Sequence, residues 1–83
     1  MKGEHKMTQE EWRDTFGDNL ASILQEQGMT QNELAKATGL STSRISDYIH
    51  GYSAPSIFAI INMAYVLELD IGEFVDFGES IKY

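Results

Sequence analysis

The chain has 83 residues, of which 42% are hydrophobic, enough for one domain with a modest core. Six Lys and Arg stand against thirteen Asp and Glu, a formal net charge of −7, which excludes an overall basic footprint of the kind that holds nucleic acid non-specifically. The lack of cysteine excludes a disulfide framework and thiolate metal sites, and no apolar run approaches the roughly 20 residues of a membrane span.

The N-terminal stretch MKGEHKMTQEEW has no apolar core of a secretory leader, so the expected location is the cytoplasm. Residues 1–7 are expected to be disordered. Thr8 followed by Glu11 is a capping-box pattern that opens a first helix running to about Gln27. Its apolar stripe is Trp12, Phe16, Leu20, Ile23 and Leu24. Trp12 is expected to cover the core. Gly17 inside the helix costs about 1 kcal/mol relative to Ala and marks a place for a bend or break.

Thr30 and Glu33 repeat the capping-box pattern and open a short second helix to about Thr38. Gly39 ends it in the left-handed conformation, and Ser41 caps a third helix that runs to His50 and stops at Gly51. Helix, glycine turn and helix make a helix-turn-helix pattern, whose second helix enters a DNA major groove. Tyr52 to Pro55 reads as a turn. A fourth helix is expected from about Ser56 to Leu67. Asp70 and Glu73 begin a short fifth to about Asp76, and the tail frays. No period-two alternation is present, so the expected fold is all-α.

These residues resemble the lambda-repressor-like helix-turn-helix domain of the Cro/XRE family. The matching pieces are Thr30-Gln31-Asn32-Glu33-Leu34-Ala35, Gly39-Leu40-Ser41, Ile45-Ser46, Gly51, Pro55-Ser56, Ala64-Tyr65-Val66-Leu67 and Ile71 to Val75, within about Phe16 to Phe77. The resemblance implies a five-helix bundle with the helix-turn-helix at helices two and three. The first helix is extended at its N-terminus, the domain spans residues 8–77, and 78–83 form a tail. Two positions depart from the family: Leu24 and Ile49 stand where many members carry a buried Arg–Glu pair. Packed apolar residues replace such a pair at little cost or with a gain, and Leu24 and Ile49 are expected to touch.

On the third helix Ile45, Tyr48 and Ile49 share one side by their spacing, with Leu40 from the turn, and form the core face. Ser43, Ser46, Asp47 and His50 lie on the other, with Thr42 in the first turn. Hydroxyls there can donate or accept at base edges, a Thr methyl can meet a thymine methyl, and Asp47 can accept from cytosine. Gln31 can hold a phosphate at the start of the second helix. By the resemblance Gln31, Thr42, Ser43, Ser46 and Asp47 fall on DNA-contacting positions. Lys36 and Arg44 are the phosphate candidates, and Thr30, Ser41 and His50 complete the candidate surface. Between Gly28 and Ser56 the charges are Glu33, Lys36, Arg44 and Asp47, which cancel. The acid excess lies in the flanks. The expectation is weak non-specific binding to double-stranded DNA and a reliance on dimerisation.

In the fourth helix Ile57, Ile60, Ile61, Ala64 and Leu67 are expected to supply the core stripe, and Phe58 and Tyr65, with Ala59, Asn62 and Val66 nearby, a second apolar face. That face, with Phe74, Val75 and Phe77, is expected to form a two-fold homodimer contact. An enzyme reading has little to stand on. The only histidines are His5 and His50, neither in a metal-ligand spacing, and there is no glycine-rich phosphate loop. Ser46 and His50 could meet on their helix, but no third group orients them. No cofactor or metal is implied. The reading is a small dimeric repressor of phage or bacterial type on a palindromic operator. The rival, favoured by the net charge and Asp47, is a helix-turn-helix fold used to bind a protein partner, as an antirepressor does.

Overall fold

A computed structural model describes residues 7–75; residues 1–6, Asp76, Phe77 and the tail 78–83 lie outside it. Within that range there are five helices and no strand: α1 Gln9–Gln27, α2 Gln31–Thr38, α3 Thr42–Ile49, α4 Ile57–Leu67 and α5 Ile71–Val75. Their starts are chemically marked. Thr8 accepts from the Glu11 N–H at 3.1 Å while Glu11 accepts from the Thr8 N–H at 2.9 Å. Thr30 and Glu33 repeat the pair at 3.1 and 2.8 Å. The Ser41 and Ser56 hydroxyls each accept from the third residue of their helix, Arg44 and Ala59, at 3.1 Å. Each cap is worth about 1 kcal/mol. Gly39, at φ 78°, turns the chain from α2 to α3, a conformation that costs a side chain dearly and glycine nothing.

Helix α3 packs on α1 and α2, and α4 packs on α2 and α5. The buried core draws Phe16, Leu20 and Leu24 from α1, Leu34 from α2, and Ile45 and Tyr48 from α3. Helix α4 adds Ala59, Ile60, Met63, Ala64 and Leu67, and α5 adds Phe74. Trp12 stacks on Phe16 with ring centroids 5.1 Å apart, which places the extension of α1 over the core as expected. Leu24 is buried in the core, and Ile49 is half-buried against the core cluster as a whole. Two amides close the bundle: Asn19 donates to the Phe74 carbonyl at 3.0 Å and Gln27 to the Leu67 carbonyl at 2.9 Å.

Three expectations need correction. Gly17 does not break α1, which runs unbroken from Gln9 to Gln27. It is where α1 meets the end of α3: a Cβ there would lie 2.6 Å from the Tyr48 carbonyl oxygen and closer still to that of Ile49. Helix α4 is also turned from the expected stripe. Ile57 and Ile61 face out while Ala59 and Met63 face in. Phe74, assigned to an intermolecular contact, is fully buried within the chain and packs its ring 5.1 Å from that of Phe16.

Two substitutions test this packing. Gly17→Ala should lower the unfolding free energy by about 2–3 kcal/mol, because the overpacking penalty exceeds the gain in helix propensity. Urea melts equal to wild type would show that α1 and α3 separate freely. Glu68 caps α4 at φ 60°, the one positive φ outside glycine among the described residues, and puts an acid at a helix C-terminus. Glu68→Gly should raise stability by about 0.5–1 kcal/mol by relieving both costs, read as a higher melting temperature.

Candidate nucleic-acid interface

The N-termini of α2 and α3 come together on one exposed surface. Thr42, first in α3, donates its hydroxyl to the Asn32 side-chain oxygen at 2.6 Å. Asn32 follows Gln31, first in α2. The first N–H groups of a helix have no intrahelical partner and favour anions, so two helix starts on one surface suit a polyanion. At α2 the Glu33 carboxylate already takes the Thr30 N–H, which removes part of that attraction.

Several candidates have structural duties. The Thr30 and Ser41 hydroxyls accept helix-capping bonds, so each keeps its proton to give elsewhere. Ser43 and Asp47 are exposed and Ser46 half-buried. Ser41, Ser43, Arg44, Asp47 and Tyr48 line an open cleft together with Ser53, Ala54 and Ser56. Lys36 lies in the last turn of α2, about 7.5 Å along the axis from Gln31.

Arg44 is an i to i+4 neighbour of Tyr48. Burial pushes the Tyr48 phenol above its ordinary value, an effect that the nearby Arg44 guanidinium partly offsets and the Asp47 carboxylate reinforces. Both side chains line the cleft, and the Tyr48 side chain is buried in the core.

At the other end of α3, His50 Nδ1 lies 2.8 Å from the Ser46 carbonyl oxygen and 3.4 Å from its hydroxyl. A carbonyl only accepts, so Nδ1 carries the proton and cannot serve as a base toward Ser46. This removes the one serine–histidine pairing that the sequence offered for catalysis. The imidazole stacks on Tyr52, centroids 5.5 Å apart, and its Nε2 is left as the free ring nitrogen. No cluster of metal ligands occurs among the described residues, and no helix there is long and apolar enough to cross a membrane.

Reasoning from sequence missed Asn32, Tyr52 and the Tyr48 phenol. Asn32 lies inside a quoted motif, but its bond joins residues ten apart across a turn. The Tyr48 hydroxyl was hidden by a correct placement of its ring in the core.

Of the exposed apolar residues assigned to a dimer contact, Phe58 is 70% and Tyr65 85% exposed. Ile57 and Ile61 join them on the outer face of α4, while Asn62, Val66 and Val75 are half-buried. Phe77 is outside the described residues.

A family model described as helix-turn-helix matches residues 20–74. Among solved structures, the restriction-modification controller protein C.AhdI from Aeromonas hydrophila is 26% identical, with TM-score 0.72, over 75% of this chain and 94% of its own. The clp gene regulator ClgR from Corynebacterium glutamicum is 23% identical, with TM-score 0.74, over 77% of this chain and 68% of its own. An HTH_3 family transcriptional regulator from Vibrio cholerae is 22% identical, with TM-score 0.76, over 81% of this chain but 38% of its own. The latter two likenesses bear on the fold. No curated protein matches the chain.

The Tyr48 assignment has a consequence at alkaline pH. The folded state holds the phenolic proton above the ordinary value of 10.0 while the unfolded chain gives it up there. Unfolding therefore releases a proton, and stability falls as pH rises above about 10. Tyr48→Phe should flatten that part of the stability–pH curve; an unchanged slope in urea melts would mean the phenol is not buried.

Proposed function

The chain belongs to the HTH_3 helix-turn-helix family, and from that premise we propose that it is a sequence-specific DNA-binding regulator of transcription, acting as a homodimer that represses by occlusion. The observation that carries the reading is the joined pair of helix starts at Asn32 and Thr42, beside the exposed residues of α3. Helix α3 would lie in the major groove, with Thr42, Ser43, Ser46 and Asp47 toward base edges and Gln31 and Arg44 toward phosphates. The likeness to the restriction-modification controller protein C.AhdI supports a regulatory role. The place of action would be the cytoplasm.

Dimerisation is proposed through the outer face of α4, with Phe58 and Tyr65 at its centre. The eleven residues of α4 carry no charge. In a chain of net charge −7, a neutral apolar face lets two copies meet without bringing acids together. A two-fold pair would set two copies of α3 about 34 Å apart, one turn of DNA.

The first test is binding of the purified protein to duplex fragments of its own upstream region at two salt concentrations. Saturable binding that survives competitor DNA and weakens with salt is expected. Arg44→Ala should reduce the salt slope by about one, and Ser43→Ala should cost roughly 1 kcal/mol or more at one base pair. Phe58→Asp with Tyr65→Asp should yield a folded monomer by mass measurement and weaken operator binding at least tenfold. Failure of the folded wild type to bind any fragment at low salt would move the assignment to a protein-binding role.

A further inference from the structure

Asn32 offers a rule for what Thr42 can read. The two side-chain oxygens lie 2.6 Å apart, a separation typical of O–H···O rather than N–H···O bonds. An amide oxygen has no proton to give, so the Thr42 hydroxyl is the donor. Its single proton is therefore committed within the protein, and what its oxygen has left for an outside group is lone pairs. Both side chains are exposed, and Thr42 opens α3, at the end from which a recognition helix touches base edges.

Resting on the DNA-reading assignment above, we infer that Asn32 is a positioning residue that makes Thr42 an acceptor-only reader of DNA, selecting a base that presents an amino group. In the major groove those bases are adenine, through N6, and cytosine, through N4. Guanine and thymine present keto oxygens, O6 and O4, at the corresponding place. Against these the Thr42 oxygen meets another acceptor, and the Asn32 bond must break before the hydroxyl can turn to donate. Asn32 itself need not touch DNA.

The test is competition binding to an operator whose bases are varied one step at a time, using wild type, Thr42→Val, Asn32→Ala and Asn32→Asp. Thr42→Val keeps the shape and removes the oxygen, so the step that it levels is the one Thr42 reads. At that step wild type should prefer A or C over G or T by about fivefold or more. Asn32→Ala frees the hydroxyl to donate as well as accept, and should level that step while leaving the others unchanged. Asn32→Asp can only accept from Thr42, so it should restore the preference, at a lower overall affinity because it adds negative charge.

A wild-type preference for G or T at the Thr42 step would overturn the inference. So would an Asn32→Ala protein that loses affinity equally at every step, which is what a merely structural role predicts. A Thr42→Val protein with the wild-type profile would likewise overturn it. Folded wild type that binds no duplex would instead remove the DNA-reading premise, and this inference with it.

Discussion

The last turn of α3 rests directly on the backbone of α1 at Gly17, and the reading surface depends on that contact. Helix α3 has eight residues, too few to persist alone in water. Its core side, Ile45 and Tyr48, is buried, and its Tyr48 and Ile49 carbonyls sit against the bare Cα of Gly17. The neighbouring Arg13 donates from Nε to the Gly51 carbonyl at 3.2 Å, so a side chain of α1 satisfies a carbonyl just beyond α3. With that end held, the N-terminal end of α3 is fixed in direction. The polar face that carries Ser43 and Asp47 is left clear of the bundle.

The second organising feature is where charge has been kept away. The chain as a whole is strongly acidic, yet the segment from α2 to the start of α4 is balanced and α4 itself is uncharged. A neutral reading surface pays for low non-specific affinity with greater dependence on specific contacts and on pairing, since phosphate neutralisation is the sequence-independent part of binding. The cap chemistry reinforces this. Glu33 satisfies one helix-start N–H with a carboxylate where a phosphate would otherwise be favoured.

The hydroxyls of the helix-turn-helix show why position alone does not assign a role. Thr30, Ser41 and Thr42 all lie on the same surface. Two of them accept capping bonds and keep a free proton; the third has given its proton to Asn32. Three chemically similar groups therefore present different hydrogen-bonding capacities to a ligand. The difference is set by partners three residues away in the caps and ten residues away for Thr42.

The five helices of the described residues, their starts and the all-α class were legible along the chain. Those features come from local chemistry: Thr and Ser caps with Glu partners, glycines after the second and third helices, and apolar spacing that marked Phe16, Leu20, Leu24, Ile45 and Tyr48 as inward. The sequence also located the polar face of α3. Tertiary structure decided the rest. Gly17 reads along the chain as a weak point of a helix; only the approach of α3 makes it a contact surface. In α4 nearly every position is apolar, so periodicity carried no information about which side faced in: Ile57 and Ile61, expected inward, face out, and Ala59, expected on the outer face, is buried with Met63. Phe74 looked like a surface aromatic until α5 folded it against Phe16. The Asn32–Thr42 bond has no local signature, because it exists only once the Gly39 turn sets the starts of α2 and α3 side by side.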